Sequence, residues 1–153
     1  AGSGEEAGRL KRKAEELAVA ENVEFAGYIS EGEKIRLLQE AWVFVNPSMM
    51  EGWGITTIEA NACGTPVVAS DVPGLRDSVR NPHTGYLVPH GDPHALAVAM
   101  LELLRNEKLR ERMGASALVW AGNFDWKAAS KRFLIIINQI TSRQAESYAT
   151  EKI

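Results

Sequence analysis

Trp42-Val43-Phe44-Val45-Asn46-Pro47-Ser48-Met49-Met50-Glu51-Gly52-Trp53-Gly54-Ile55-Thr56-Thr57-Ile58-Glu59-Ala60 is the stretch on which the reading of this chain turns. Its first part, Trp42 to Asn46, is nearly all apolar, as expected of a strand in a parallel sheet with helices on both faces. A Gly-x-Gly turn follows at Gly52 and Gly54, and an amphipathic helix is expected from Gly54 to Ala62. A strand, a glycine turn and a helix N-terminus make a ready anion site, because free backbone N–H groups and the helix dipole converge there. Glu51 precedes the helix and Glu59 lies inside it, with seven residues between them. Were all eight steps helical, the carboxylates would stand on the order of 12 Å apart at 1.5 Å per residue. That is about the reach of a ligand with a hydroxyl-bearing ring on each side of a diphosphate.

Working outward, Gly64-Thr65-Pro66 stops that helix with a glycine and a proline, and Val67-Val68-Ala69-Ser70 reads as the next buried strand. A short helix is expected near Gly74–Arg80 and a short strand at Tyr86-Leu87-Val88. Asp92-Pro93 is an N-cap with proline at the first helical position, opening a helix to about Arg105. Two more helical stretches are expected near Glu107–Ala121 and Asp125–Gln144. Upstream, a glycine-rich turn at Gly2–Gly4 feeds a helix through about Ala20 with Leu10, Ala14, Leu17 and Ala18 as its stripe. Val23–Ile29 alternates enough to be a strand. Ser30 and Glu33 then form a capping box for a helix that turns Ile35, Leu38 and Trp42 or Ala41 inward. Strands alternating with helices define an α/β fold, a Rossmann-like parallel sheet with flanking helices. A single partial domain is expected over residues 1–153, its C-terminal helices over about 92–145 and a frayed tail at 146–153.

The chain has 153 residues, enough for one domain with a real core and hardly for two. A formal charge of -3 argues against a dedicated nucleic-acid binder, and the basic residues Arg9 to Lys13 alternate with glutamates as on a solvated helix face. One cysteine, Cys63, allows no internal disulfide and suits a reducing, cytoplasmic setting. No apolar run reaches the ~18 residues of a membrane span, though peripheral contact at a membrane surface stays open. His90 and His94 are four apart, but Gly91-Asp92-Pro93 breaks the helix that would align them on a metal, and with His83 they read as surface histidines.

Pro47-Ser48-x-x-Glu51-Gly52-Trp53-Gly54, Ile58-Glu59-Ala60 and Ala62-x-Gly64-Thr65-Pro66-Val67-Val68-Ala69-Ser70 together resemble the E-x7-E core of the retaining glycosyltransferases of family 4, which have the GT-B fold. Pro73-Gly74-Leu75-x-Asp77, Gly85–Pro89, Asp92-x-x-Ala95-Leu96-Ala97, Met113-Gly114 and Phe124-Asp125-Trp126 match the C-terminal, donor-binding domain of that family. The likeness runs from about Gly2 to Trp126. It implies transfer of a glycosyl group, with retention of configuration, from a nucleoside-diphosphate sugar of the UDP or GDP type. It places Glu51 on the sugar hydroxyls as the catalytic carboxylate and Glu59 on the nucleotide ribose. Gly52, Trp53, Gly54, Ile55 and Thr56 surround the diphosphate. Gly27, Tyr28 and Ile29 resemble the loop that contacts the base, a role that competes with a core one. Taken singly, Glu51 also fits a charge placed against the helix dipole, and Glu59 a solvated helix face.

The resemblance further implies that the first strands of the domain, the family's arginine and lysine and a whole N-terminal acceptor domain are missing. The chain is therefore expected to be a fragment, inactive alone, and open to homo-dimerisation through exposed strand edges. No cofactor or metal is expected, since no acidic metal-binding pair is evident. Two rivals stand beside this reading. One is a non-catalytic or excised α/β piece that self-associates. The other is a nucleotide-dependent oxidoreductase or epimerase domain, which would need a third glycine that Gly2-Ser3-Gly4 lacks.

Overall fold

The computed structural model of the chain describes residues 1–150. Two compact units are distinguished, Ala1–Glu40 and a second that begins at Ala41.

In the first unit, α1 (Ala7–Glu16) is followed by a 3-10 turn at Ala20–Asn22 and by α2 (Glu31–Glu40). Helix α1 stops short of the expected Ala20 because Ala18 takes a left-handed φ of 54°. Of its expected stripe only Ala14 is buried, while Leu10 and Leu17 are exposed. The N-cap of α2 forms as read, with Ser30 Oγ accepting from the Glu33 N–H at 3.2 Å. The Glu33 carboxylate is held by Arg36, which also bonds Glu40 at 2.7 Å. Leu38 is buried, but Ile35 is exposed, and of the alternatives Trp42 and Ala41 the first is exposed and the second half-buried.

Val23–Ile29 is not a strand. The backbone leaves the 3-10 turn extended, with Val23 at φ −122° and ψ 116°. Gly27 then turns it at φ 62°, and the Gly27 carbonyl accepts from the Gly2 N–H at 2.6 Å. A strand exists through its ladder, and among the described residues this segment has none.

The second unit carries a three-stranded parallel sheet in the order β1 (Phe44–Asn46), β2 (Val67–Ser70), β3 (Gly85–Val88). Phe44 pairs with Val67 and Asn46 with Ala69, and Val67 pairs with Gly85 and Ser70 with Val88. The central strand β2 is buried at all four positions, which is why Val67, Val68 and Ala69 are apolar without alternation before the buried Ser70. Helix α3 (Ile55–Ala62) crosses from β1 to β2, and α4 (Leu75–Ser78) lies between β2 and β3. Then come α5 (Pro93–Arg105), α6 (Glu107–Ala121), a 3-10 turn at Gly122–Phe124 and α7 (Trp126–Thr150). Of the tail expected at 146–153, the backbone to Thr150 belongs to α7, and 151–153 lie outside the described residues.

The caps of α5 and α6 follow from their sequences. Asp92 accepts from the Ala95 N–H at 2.9 Å and Asn106 from Leu109 at 3.0 Å. The core joins Val68 and Val88 to Ala99, Leu103 and Met113, with Tyr86, Leu96 and Leu109 packed around them. Trp42 lies under the Arg110 guanidinium, whose Nη1 caps the end of α5 through the carbonyls of Leu103 and Leu104. Among the described residues no helix is long and apolar enough to cross a membrane.

Candidate functional site

Open parallel sheets bind ligands outside the carboxyl ends of their strands, and the Glu51 segment leaves β1 at that end. Asn46 closes β1 and is buried, and its Oδ1 accepts from the Ser48 N–H at 3.1 Å. The Ser48 hydroxyl then donates to Glu51 Oε1 at 2.9 Å. This relay aims the half-buried Glu51 carboxylate from the strand end, and it is a detail the sequence reading did not foresee. An Asn-Pro-Ser run ahead of a glutamate was its only signal.

The two glycines of the turn differ. Gly52 is exposed, and a Cβ there would meet nothing within 4 Å. Gly54 is buried at φ 74° as the N-cap of α3, and a Cβ there would stand 2.7 Å from Leu75 Cδ2 and 2.9 Å from Ser78 Oγ. Gly54 thus seats α3 on α4, and open space for a ligand lies at Gly52. Gly74, at φ 84°, brings the loop before α4 against the main chain of Glu51 and Gly52, where a Cβ would collide with the Glu51 carbonyl.

No side chain caps the N-terminus of α3, and the first amides of a helix lack intrahelical partners. Ile55 and Thr56 are exposed there, whereas Thr57 is fully buried. Of these two threonines, only Thr56 is open to solvent. Trp53 is half-buried with its ring edge-on to Phe124, centroids 4.7 Å apart. Glu59 is half-buried further along α3. Burial, and after it the Glu59 charge, pushes the Cys63 thiol at the end of that helix up from its ordinary pKa.

Of the remaining candidates, Gly27, Tyr28 and Ile29 lie in the first unit, with Gly27 and Ile29 half-buried and Tyr28 exposed. Arg76 is exposed and tied to Asp71, Nε to Oδ1 at 2.6 Å. His83, His90 and His94 are all exposed. His90 comes within 3.3 Å of the Ser70 hydroxyl at the end of β2, beside a cavity of about 190 Å³ lined also by Pro47, Val88 and Pro89.

A parallel sheet with flanking helices, whose first strand feeds a glutamate, a glycine turn and an uncapped helix, defines an open α/β domain of the Rossmann-like type. The comparisons make it specific. The family model for glycosyl transferases group 1 matches residues 1–120, and the chain belongs to that family. It is 35% identical over 125 residues to a phosphatidyl-myo-inositol mannosyltransferase of Mycobacterium leprae, covering 81% of this chain and 33% of that protein. Among solved structures it superimposes on a sucrose-phosphate synthase from Thermosynechococcus elongatus with a TM-score of 0.83 and 31% identity. That match covers 93% of this chain and 37% of the other. TarM of S. aureus, in a complex that includes UDP, matches with a TM-score of 0.79 and 25% identity over 88% of this chain and 27% of TarM. The solved relatives carry the GT-B fold that the sequence implied, here as a partial domain. The chain spans about a third of the length of the curated relatives it matches.

Proposed function

We propose that this chain is the donor-binding part of a retaining glycosyltransferase, which moves a glycosyl group from a nucleoside-diphosphate sugar to an acceptor. The observation that carries the reading is the Glu51 carboxylate, aimed by Ser48, beside an uncapped α3 N-terminus. An ionised carboxylate accepts strongly from vicinal sugar hydroxyls, and a helix N-terminus stabilises the charge of a departing diphosphate. Glu51 takes the sugar, the amides near Ile55 and Thr56 take the diphosphate, and Glu59 takes the ribose. Gly52 leaves room for the phosphates to approach, Trp53 holds the turn, and Gly54 fixes the helix start.

The two glutamates are not a hydrolase pair, because no protein nucleophile is called for. The leaving diphosphate assists the acceptor in losing its proton, without a metal. The N-terminal acceptor domain and the family's basic residues complete the site, so the isolated chain binds donor and turns nothing over. The relative named for mannosyl transfer and the UDP-bound TarM support a nucleotide-sugar donor, which we take to be of the UDP or GDP type.

Titration of UDP, GDP and ADP into the chain, followed by ligand-observed NMR, tests this. One nucleotide should bind saturably, and Glu59→Ala should weaken it by at least about tenfold, the ~1.4 kcal/mol scale of a hydrogen bond to a charged group. Equal binding by Glu59→Ala would remove the ribose assignment. No binding of any nucleotide by the folded chain would remove the donor reading.

A further inference from the structure

The turn at the candidate site is held at Glu51 by Ser48 and along its main chain by the Gly74 loop, but much of its side-chain surface is open. Met49 and Met50 are exposed, and Gly52 touches nothing within 4 Å on its side-chain side. Yet the Glu51 carboxylate must be fixed for any sugar to be read. The side chain that leaves this turn for the body of the unit is Trp53, and it meets Phe124 edge-on at 4.7 Å with the rings 68° apart. Phe124 in turn meets Trp120 at 4.7 Å and 84°.

Trp120 is itself pinned twice. Its Nε1–H donates to the Ser78 carbonyl at 2.9 Å, and the Arg80 guanidinium lies 4.1 Å from its ring centre. Ser78 is also the residue whose hydroxyl would crowd a Cβ at Gly54. Contacts therefore run in a closed circuit, from Trp53 through Phe124 and Trp120 to Ser78, and back to Gly54 beside Trp53.

We infer that Phe124 and Trp120 are positioning residues for the Glu51–Gly54 turn, acting through the ring of Trp53. Edge-to-face rings hold a defined geometry that an aliphatic side chain of similar bulk does not. The circuit closes on the 3-10 turn Gly122–Phe124, immediately before α7. The relation to the donor site rests on the function proposed above; the brace itself does not.

The test uses the chain with Phe124→Leu, which keeps bulk and removes the ring, and Phe124→Tyr, which restores the ring. Amide exchange of Thr57 and Ile58, whose N–H groups bond the Gly54 carbonyl of the turn, and the Trp53 indole signal are followed by NMR, with the amides of β2 and β3 as the internal reference. In Phe124→Leu the turn amides should exchange about tenfold faster while the strand amides hold, and Phe124→Tyr should return them. The best-binding nucleotide should weaken several-fold in the leucine variant and recover in the tyrosine variant. Uniform loss of protection across turn and strands would overturn the inference, since Phe124 would then be ordinary core. Unchanged turn amides in a folded leucine variant would overturn it too. If the unsubstituted chain binds no nucleotide but the exchange contrast stands, the donor reading fails and the brace is supported.

Discussion

At Gly54 a methyl group would meet Leu75 Cδ2 at 2.7 Å and Ser78 Oγ at 2.9 Å, on a residue held at φ 74°. Gly52, two positions earlier, faces open space. Gly54→Ala should therefore lower stability by ~3 kcal/mol in urea unfolding, adding backbone strain to overpacking. Gly52→Ala should stay within ~1 kcal/mol while weakening nucleotide binding. Cys63 offers a second readout beside the site. Burial first, and the Glu59 charge second, raise its pKa, so the thiol stays protonated through neutral pH and reacts slowly. A raised pKa in the fold gives stability that is present below the unfolded value and lost as pH climbs through the folded one. Iodoacetamide labelling followed against pH should show its onset above that of an unstructured cysteine peptide. Glu59→Gln should move the onset to lower pH, and an unmoved onset would show that the Glu59 charge does not reach the thiol.

At the scale of elements, β3 and α5 are joined by the Tyr86 hydroxyl donating to Glu102 Oε1 at 3.0 Å. Burial chiefly, and that hydrogen bond next, raise the Tyr86 pKa above 10. The fold is then favoured by the protonated phenol, and this contribution fades as pH rises past 10 through the folded value. Urea titrations between about pH 9 and 12, the region of tyrosine ionisation, should show a steeper loss of stability for the parent than for Tyr86→Phe. The elements legible in the sequence are those whose signal is local. Val67-Val68-Ala69 is an unbroken apolar run closed by Ser70, and Asp92-Pro93 carries both a cap and a fixed φ, so both were placed to the residue. Val23–Ile29 failed because alternation describes a side-chain pattern, whereas a ladder depends on a neighbour that lies elsewhere in the chain. Trp42 failed by size, as an aromatic in an apolar run reads as core although here its ring lies exposed beneath Arg110. In the site, Glu51 and the glycine turn were legible as a motif. The Ser48 relay and the Phe124 contact were not, because nothing in a linear spacing reports which side chains meet.

Across the whole molecule the buried apolar residues are unevenly shared. Among the described residues the first unit contributes only Ala14 and Leu38, and the second holds the rest, from Ile58 to Ala117. Local stability follows buried apolar contact. Hydrogen exchange followed by mass spectrometry should therefore find α1 and α2 exchanging well before β2 and α6, by at least about tenfold. Equal protection in both units would contradict that division. The close approaches at Gly54, Gly74 and Gly114 bear on how such a sequence can drift. At Gly54 the obstacles are the side chains of Leu75 and Ser78, so a second change that shortens either one can make room. At Gly74 and Gly114 the obstacle is main chain, the carbonyls of Glu51 and Gly64. No substitution elsewhere trims a carbonyl, so those two positions have no compensating partner, and descendants of this sequence keep glycine at both or give up the fold.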